Sequence, residues 1–101
     1  MTLVATSRQG VAIRLTDERW LHIVEEHSEM AGLLESVLDA IEAADVVFEG
    51  GSGEKLAARQ LEGGKHLVVV YREVDEKDRF VITAFQTRRI RSLEKRRRLW
   101  P

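Results

Sequence analysis

Cysteine is absent from the chain, and with it go disulfides, thiolate nucleophiles and cysteine-based zinc sites. That absence fits a reducing compartment. Long apolar runs are missing too. The longest, Leu67 to Tyr71, is far too short to span a bilayer, and Met1 to Gly10 holds no apolar stretch of signal-peptide length. No membrane partner and a cytoplasmic address are therefore expected. There is no low-complexity tract, internal repeat or linker, so 101 residues with 44% apolar and 33% charged content should form one domain, residues 1–101, around one core.

Charge is present in quantity but unevenly placed. From Arg88 to Pro101 seven Lys/Arg face the single acid Glu94, whereas the residues before them carry nine Lys/Arg against sixteen Asp/Glu. A formal net charge of -1 thus hides a body of -7 and a tail of +6. A basic end of this kind answers phosphate-rich or acidic partners, or simply keeps a solvated surface. Phased as a helix from Ile90, the tail places Ile90, Leu93 and Trp100 within about 80° of one another, with Arg91, Lys95, Arg96 and Arg98 pointing away. A docked, basic amphipathic helix is the expected form.

Periodicity supplies the other elements. Val11, Ile13 and Leu15 alternate as a short strand. Thr16 then caps a helix whose first turn holds Asp17 and Glu18 and whose stripe is Trp20, Ile23, Val24 and His27. A second helix follows Ser28, with Leu33, Leu34, Val37, Leu38 and Ile41 inward. From Asp45 the period becomes two: Val46 to Glu49, Lys55 to Leu61, Lys65 to Val74 and Arg79 to Thr87 read as strands, with Gly63-Gly64 as a two-residue hairpin turn. The expected fold class is α+β: two N-terminal helices, an antiparallel three- to four-stranded meander sheet, and the C-terminal basic helix.

The last hairpin decides which polar groups meet. With Asp75 to Asp78 as a four-residue loop, Val74 pairs with Arg79, Val70 with Thr83, Val68 with Phe85 and His66 with Thr87, all on one face. Tyr71, Val69 and Leu67 then face Ile82, Ala84 and Gln86 on the other. Imidazole is the side chain best suited to moving protons near neutral pH, which singles out His27, His22 and His66. His27 ends an apolar stripe aimed at the sheet, whereas His22 lies about 140° away around the helix. A core-edge His27 bonded to backbone is the plain alternative, as are surface roles for His22 and His66. His22, Glu26 and His27 do not form the two-histidine helical pattern of a zinc hydrolase, so no metal and no cofactor are expected.

The run Trp20-Leu21-His22-Ile23 with His27 and Glu29 resembles the "HI…RHPE" helix of PBECR nucleases, a branch of the barnase, EndoU, colicin and RelE-like ribonuclease fold. Tyr71 and Val81-Ile82-Thr83-Ala84-Phe85 with Thr87 are similar to that group's "VTAY.T" strand ahead of a basic end. The resemblance runs from about Leu15 to Trp100 and implies a metal-independent, toxin-like endoribonuclease with RNA as its partner and a protein inhibitor or antitoxin as a second one. On that reading proton transfer falls to His27, with His22 or His66 as the second group, phosphate contact to Thr83, Thr87 and Arg88, and further substrate contacts to Tyr71, His66, Arg91 and Lys95. Glu26, Ser28 and Phe85 depart from the pattern, which has Arg, Pro and Tyr there, and a carboxylate beside His27 weakens phosphate binding. The competing reading is a module that binds nucleic acid or protein through the basic C-terminal helix without catalysis.

Overall fold

The computed structural model describes residues 2–101. Seven strands form one sheet: β1 (Thr2–Thr6), β2 (Ala12–Thr16), β3 (Val46–Glu49), β4 (Lys55–Gln60), β5 (His66–Glu73), β6 (Arg79–Thr87) and β7 (Arg98–Trp100), in the order β1-β2-β6-β5-β4-β3-β7. Two α-helices, α1 (Asp17–Glu26) and α2 (Leu34–Glu42), lie between β2 and β3. The expected fold class is thereby corrected. The sheet is mixed and seven-stranded, a β-hairpin precedes the helices, and no α-helix follows β6 among the described residues.

Local chemistry accounts for the helices. The Thr16 hydroxyl accepts the Arg19 N–H at 3.1 Å, and Asp17 and Glu18 occupy the favourable first turn of α1. Along α2 the buried residues Val37, Ala40 and Ile41 form one stripe, in one core with Ala5, Ala57, Leu67 and Val69 of the strands that α2 approaches, β1, β4 and β5. This first face of the sheet carries the larger core. A second, smaller apolar cluster of Phe48, Leu56, Ala58 and Val68 lies on the opposite face, where Val70 and Phe85 join it.

The C-terminal segment covers that second cluster. Residues 88–97 leave β6, make one 3-10 turn at Ile90–Ser92, and set Ile90 and Leu93 against the cluster as a strap. They end in β7, which pairs antiparallel with β3 through Val47↔Trp100 and Phe48↔Arg98. A helix here would set Arg91 against Lys95 and Lys95 against Arg98 at helical-neighbour spacing, a like-charge penalty. It would also leave the edge of β3 away from β4 unpaired, which strand addition corrects. Ile90 and Leu93 are inward as expected, but Trp100 goes to the first core and stacks under Arg8, whose guanidinium lies 4.5 Å from its ring centre.

The β5–β6 register was legible for an incomplete reason. His66↔Thr87, Val68↔Phe85 and Val70↔Thr83 pair as the four-residue loop requires, yet the turn is tighter, with Glu73 rather than Val74 opposite Arg79. The register shifts between Val70 and Tyr71, so that Tyr71 faces Val81 instead of Ile82, and Ile82 is the extra residue of a bulge. Turn and bulge offset each other. The other hairpin differs too: Glu62-Gly63-Gly64 is a three-residue turn closed by Leu61 N–H donating to the Lys65 carbonyl at 2.7 Å. Its two glycines have φ of 74° and 77°, a conformation that side chains resist.

Candidate functional site

β6 meets β2 in a parallel arrangement at only one pair, Arg14↔Phe80. Beyond it β2 gives way to α1, so the outer flank of β6 towards Thr87 faces the end of α1 and the turn Ser28–Met30 instead of a strand. Gln86 reaches across this flank, its side-chain amide donating weakly to the Glu29 carbonyl at 3.4 Å. The same replacement of strand by helix brings His27 to the sheet. His27 closes α1, its N–H donating to the Ile23 carbonyl at 2.8 Å, and its ring lies 6.2 Å from the Phe85 ring, tilted by 39°. One-third of the His27 side chain is exposed, and its Nδ1 is 3.7 Å from the Glu29 carboxylate.

Phe85 sits between Thr83 and Thr87 on the second face, with His66 directly across from Thr87. Two atoms here are buried without a hydrogen-bond partner: His66 Nδ1 and Thr83 Oγ1. A buried polar atom left unpaired costs roughly 1–3 kcal/mol, so such atoms are usually satisfied by the fold itself. The other polar groups are engaged. The Thr87 hydroxyl accepts the Arg89 N–H at 3.0 Å, and Arg88 donates to the Gly63 carbonyl at 2.6 Å, tying the start of the strap to the β4–β5 turn. A depression of about 250 Å³ lies alongside, lined by Glu29, Lys65, Gln86, Thr87 and Arg88.

His27, His66, Thr83, Thr87 and Arg88 are thus gathered around the Thr87 end of β6 and its flank. His22 is not. It is 61% exposed, its Nδ1 is 3.8 Å from the Glu25 carboxylate, and it borders a separate depression with Thr16, Glu18 and Arg19. Tyr71 is withdrawn from any surface role, because it is 1% exposed on the helix-covered face. Burial, with the Glu73 carboxylate adding to it, pushes its phenol up to about 12, while a hydrogen bond with Ser7 pulls the other way. Arg91 and Lys95 are exposed on the strap, not on a helix.

Lys65 entered the sequence reading only as the start of a strand, Glu29 only as a motif position, and Phe85 as a register partner and a departure from the family pattern, none with a role at the site. Phe85 and Lys65 adjoin chosen residues in the strand pattern, but Glu29 meets the site only because α1 turns back at His27. No family model, curated protein or solved structure matches this chain.

Proposed function

We propose that the chain is a metal-independent endoribonuclease working on the second face of the sheet near the end of β6, the reading implied by its resemblance to the PBECR nucleases. The observation that carries it is the grouping of a partly exposed His27 beside Phe85 with two buried, unpartnered polar atoms, His66 Nδ1 and Thr83 Oγ1, on the strand pair that Phe85 shares. Unsatisfied polar groups beside an accessible imidazole are where a polar ligand recovers hydrogen bonds that the fold leaves unmade.

The chemistry asks little of such a site. RNA supplies its own nucleophile: as the 2'-oxygen bonds to phosphorus its proton leaves, and the bond from phosphorus to the 5'-oxygen breaks with that oxygen taking up a proton. The products are a 2',3'-cyclic phosphate and a 5'-hydroxyl. His27 takes the 2'-proton, His66 supplies the proton to the leaving oxygen, and Arg88 bears on the phosphate oxygens where charge develops, while the Thr83 hydroxyl, about 13 Å along β6 from Thr87, bonds a neighbouring part of the bound strand. His22 has no part in this scheme.

The test is cleavage of a fluorescent single-stranded RNA by the purified chain with a chelator present. His27→Ala should lower the rate by about 100-fold or more. Thr83→Val should slow cleavage while leaving the fold as stable or slightly more so, since its hydroxyl makes no bond there. Intact RNA across pH 5 to 8 with folded wild-type protein would end the catalytic reading. One observation favours binding without catalysis: the Thr87 hydroxyl and the Arg88 guanidinium are already committed to backbone groups. Retention of RNA without turnover is the outcome that reading expects.

A further inference from the structure

One row of residues crosses the second face away from the histidines. Register places Val4 opposite Arg14, Arg14 opposite Phe80, and Phe80 opposite Arg72 on four adjacent strands. The neighbours of these residues in sequence, Ala5, Ile13, Tyr71 and Val81, point into the first core, so the row itself lies on the face that the strap occupies further along. Phe80 is partly exposed and belongs to neither apolar cluster. Phe80 is thus a large, partly exposed apolar ring outside both core clusters and flanked by two arginines in register.

Both arginines are held in place. Arg14 donates to the Lys77 carbonyl at 2.7 Å and to the Asp78 carboxylate at 3.0 Å. Arg72 donates to the Ser52 carbonyl at 3.1 Å and stands 3.8 Å from the Glu54 carboxylate. The ring between them is therefore fixed on a rigid sheet, with its flanking cations already ordered. Electrostatics favours a polyanion at the strap end of this face, while Arg14 and Arg72 at the Phe80 end face the carboxylates of Asp78 and Glu54. The seven Lys/Arg of Arg88 to Arg98 are all exposed along the strap and its strand, whereas α1 and α2, on the opposite face, expose seven carboxylates against one arginine.

Taking RNA as the substrate of the site above, we infer that Phe80, between Arg14 and Arg72, is a base-stacking subsite that makes this face a platform for single-stranded RNA. Phe85 marks the reactive end and Phe80 the far end. With one bulged residue between them, the two rings are about 13 Å apart along β6. A mononucleotide cannot reach both, so the platform selects an oligonucleotide with unpaired bases. An aromatic ring is indifferent to base identity, because every base has a π-face. A duplex keeps its bases stacked inside and offers nothing to Phe80.

The decisive measurement is binding, separated from catalysis by using 2'-O-methyl RNA, which lacks the nucleophile. Fluorescence anisotropy of a hexamer with the full chain should show Phe80→Ala weakening affinity about 5- to 150-fold, with Phe80→Trp restoring it. A dinucleotide and an RNA duplex should bind Phe80→Ala and wild type alike. A hexamer that binds Phe80→Ala as tightly as wild type, while Phe80→Trp melts normally, overturns the platform even if His27-dependent cleavage is found. Phe80-dependent binding by a chain that cleaves nothing upholds the platform and removes only the catalytic reading.

Discussion

Tyr71 shows how one side chain is decided by its strand neighbours. As the only tyrosine in the chain, its hydroxyl invited a place at a substrate. Alternation along β5 turns it to the helix-covered face instead, against Ser7 of the β1–β2 turn. Its pKa is raised from 10.0 to about 12, chiefly by burial. For a phenol, a raised folded value means that the neutral form is favoured by folding. The corresponding stability is present below the unfolded pKa near 10 and is lost as pH rises through the folded value. Absorbance at 295 nm during an alkaline titration reads this single group. We expect ionisation delayed well beyond pH 10 and coincident with loss of the far-ultraviolet circular dichroism signal. Free titration near pH 10 with the fold intact would contradict its burial. The histidines were less legible one by one: spacing separated His22 from His27, but only the chain reversal after α1 set Glu29 beside His27.

The strap is the element that sequence periodicity misassigned. Ile90, Leu93 and Trp100 satisfy a helical phase, and two of them do face a common cluster, yet the backbone between them is a single 3-10 turn followed by a strand. Apolar spacing alone does not distinguish a helix from an irregular segment with two anchors when the run is this short. The energetics should follow the anchors. Leu93→Ala should lower unfolding free energy in urea by about 1–2 kcal/mol, because a half-buried side chain has only part of its apolar area to lose. Arg91→Ala, exposed on the same segment, should stay within about 0.5 kcal/mol. Equal losses from the two would mean that the segment does not pack as an anchored strap. By contrast, β3 to β6 and α1 were legible because each combined a clear period with a turn or cap of matching chemistry, and α2 by its apolar stripe alone, since its N-cap Leu33 makes no side-chain cap bond.

At the scale of the whole molecule, the charge split of the sequence becomes a polarity of the fold. A tail is not obliged to lie opposite the acidic helices; it does so here because the strap crosses the sheet face that α1 and α2 leave uncovered. On the proposed function, RNA should therefore approach from one side. Affinity for 2'-O-methyl single-stranded RNA should fall linearly on a log–log plot against salt, and Arg89→Glu with Arg91→Glu should flatten that slope by about 0.7 for each phosphate that is no longer neutralised. Glu35→Lys on α2 should leave the slope unchanged. A slope that Glu35→Lys alters as much as the strap changes do would place the nucleic acid on the helix layer instead. No helix is long and apolar enough to cross a membrane among the described residues.

By itself the sequence determined the local facts: two amphipathic helices, the central strands, the register of His66 and Thr83 to Thr87 at the Thr87 end of the last hairpin, and the separation of acidic body from basic end. These depend on neighbours within a few residues, where periodicity and turn chemistry act. Tertiary structure decided what long-range pairing controls. It joined β1–β2 to β6 at one residue pair, let α1 replace a strand so that His27 meets Phe85, inserted the bulge at Ile82, and turned the basic end into a strap that closes on β3. Such contacts answer to unpaired strand edges and uncovered apolar faces, which exist only once the sheet has formed.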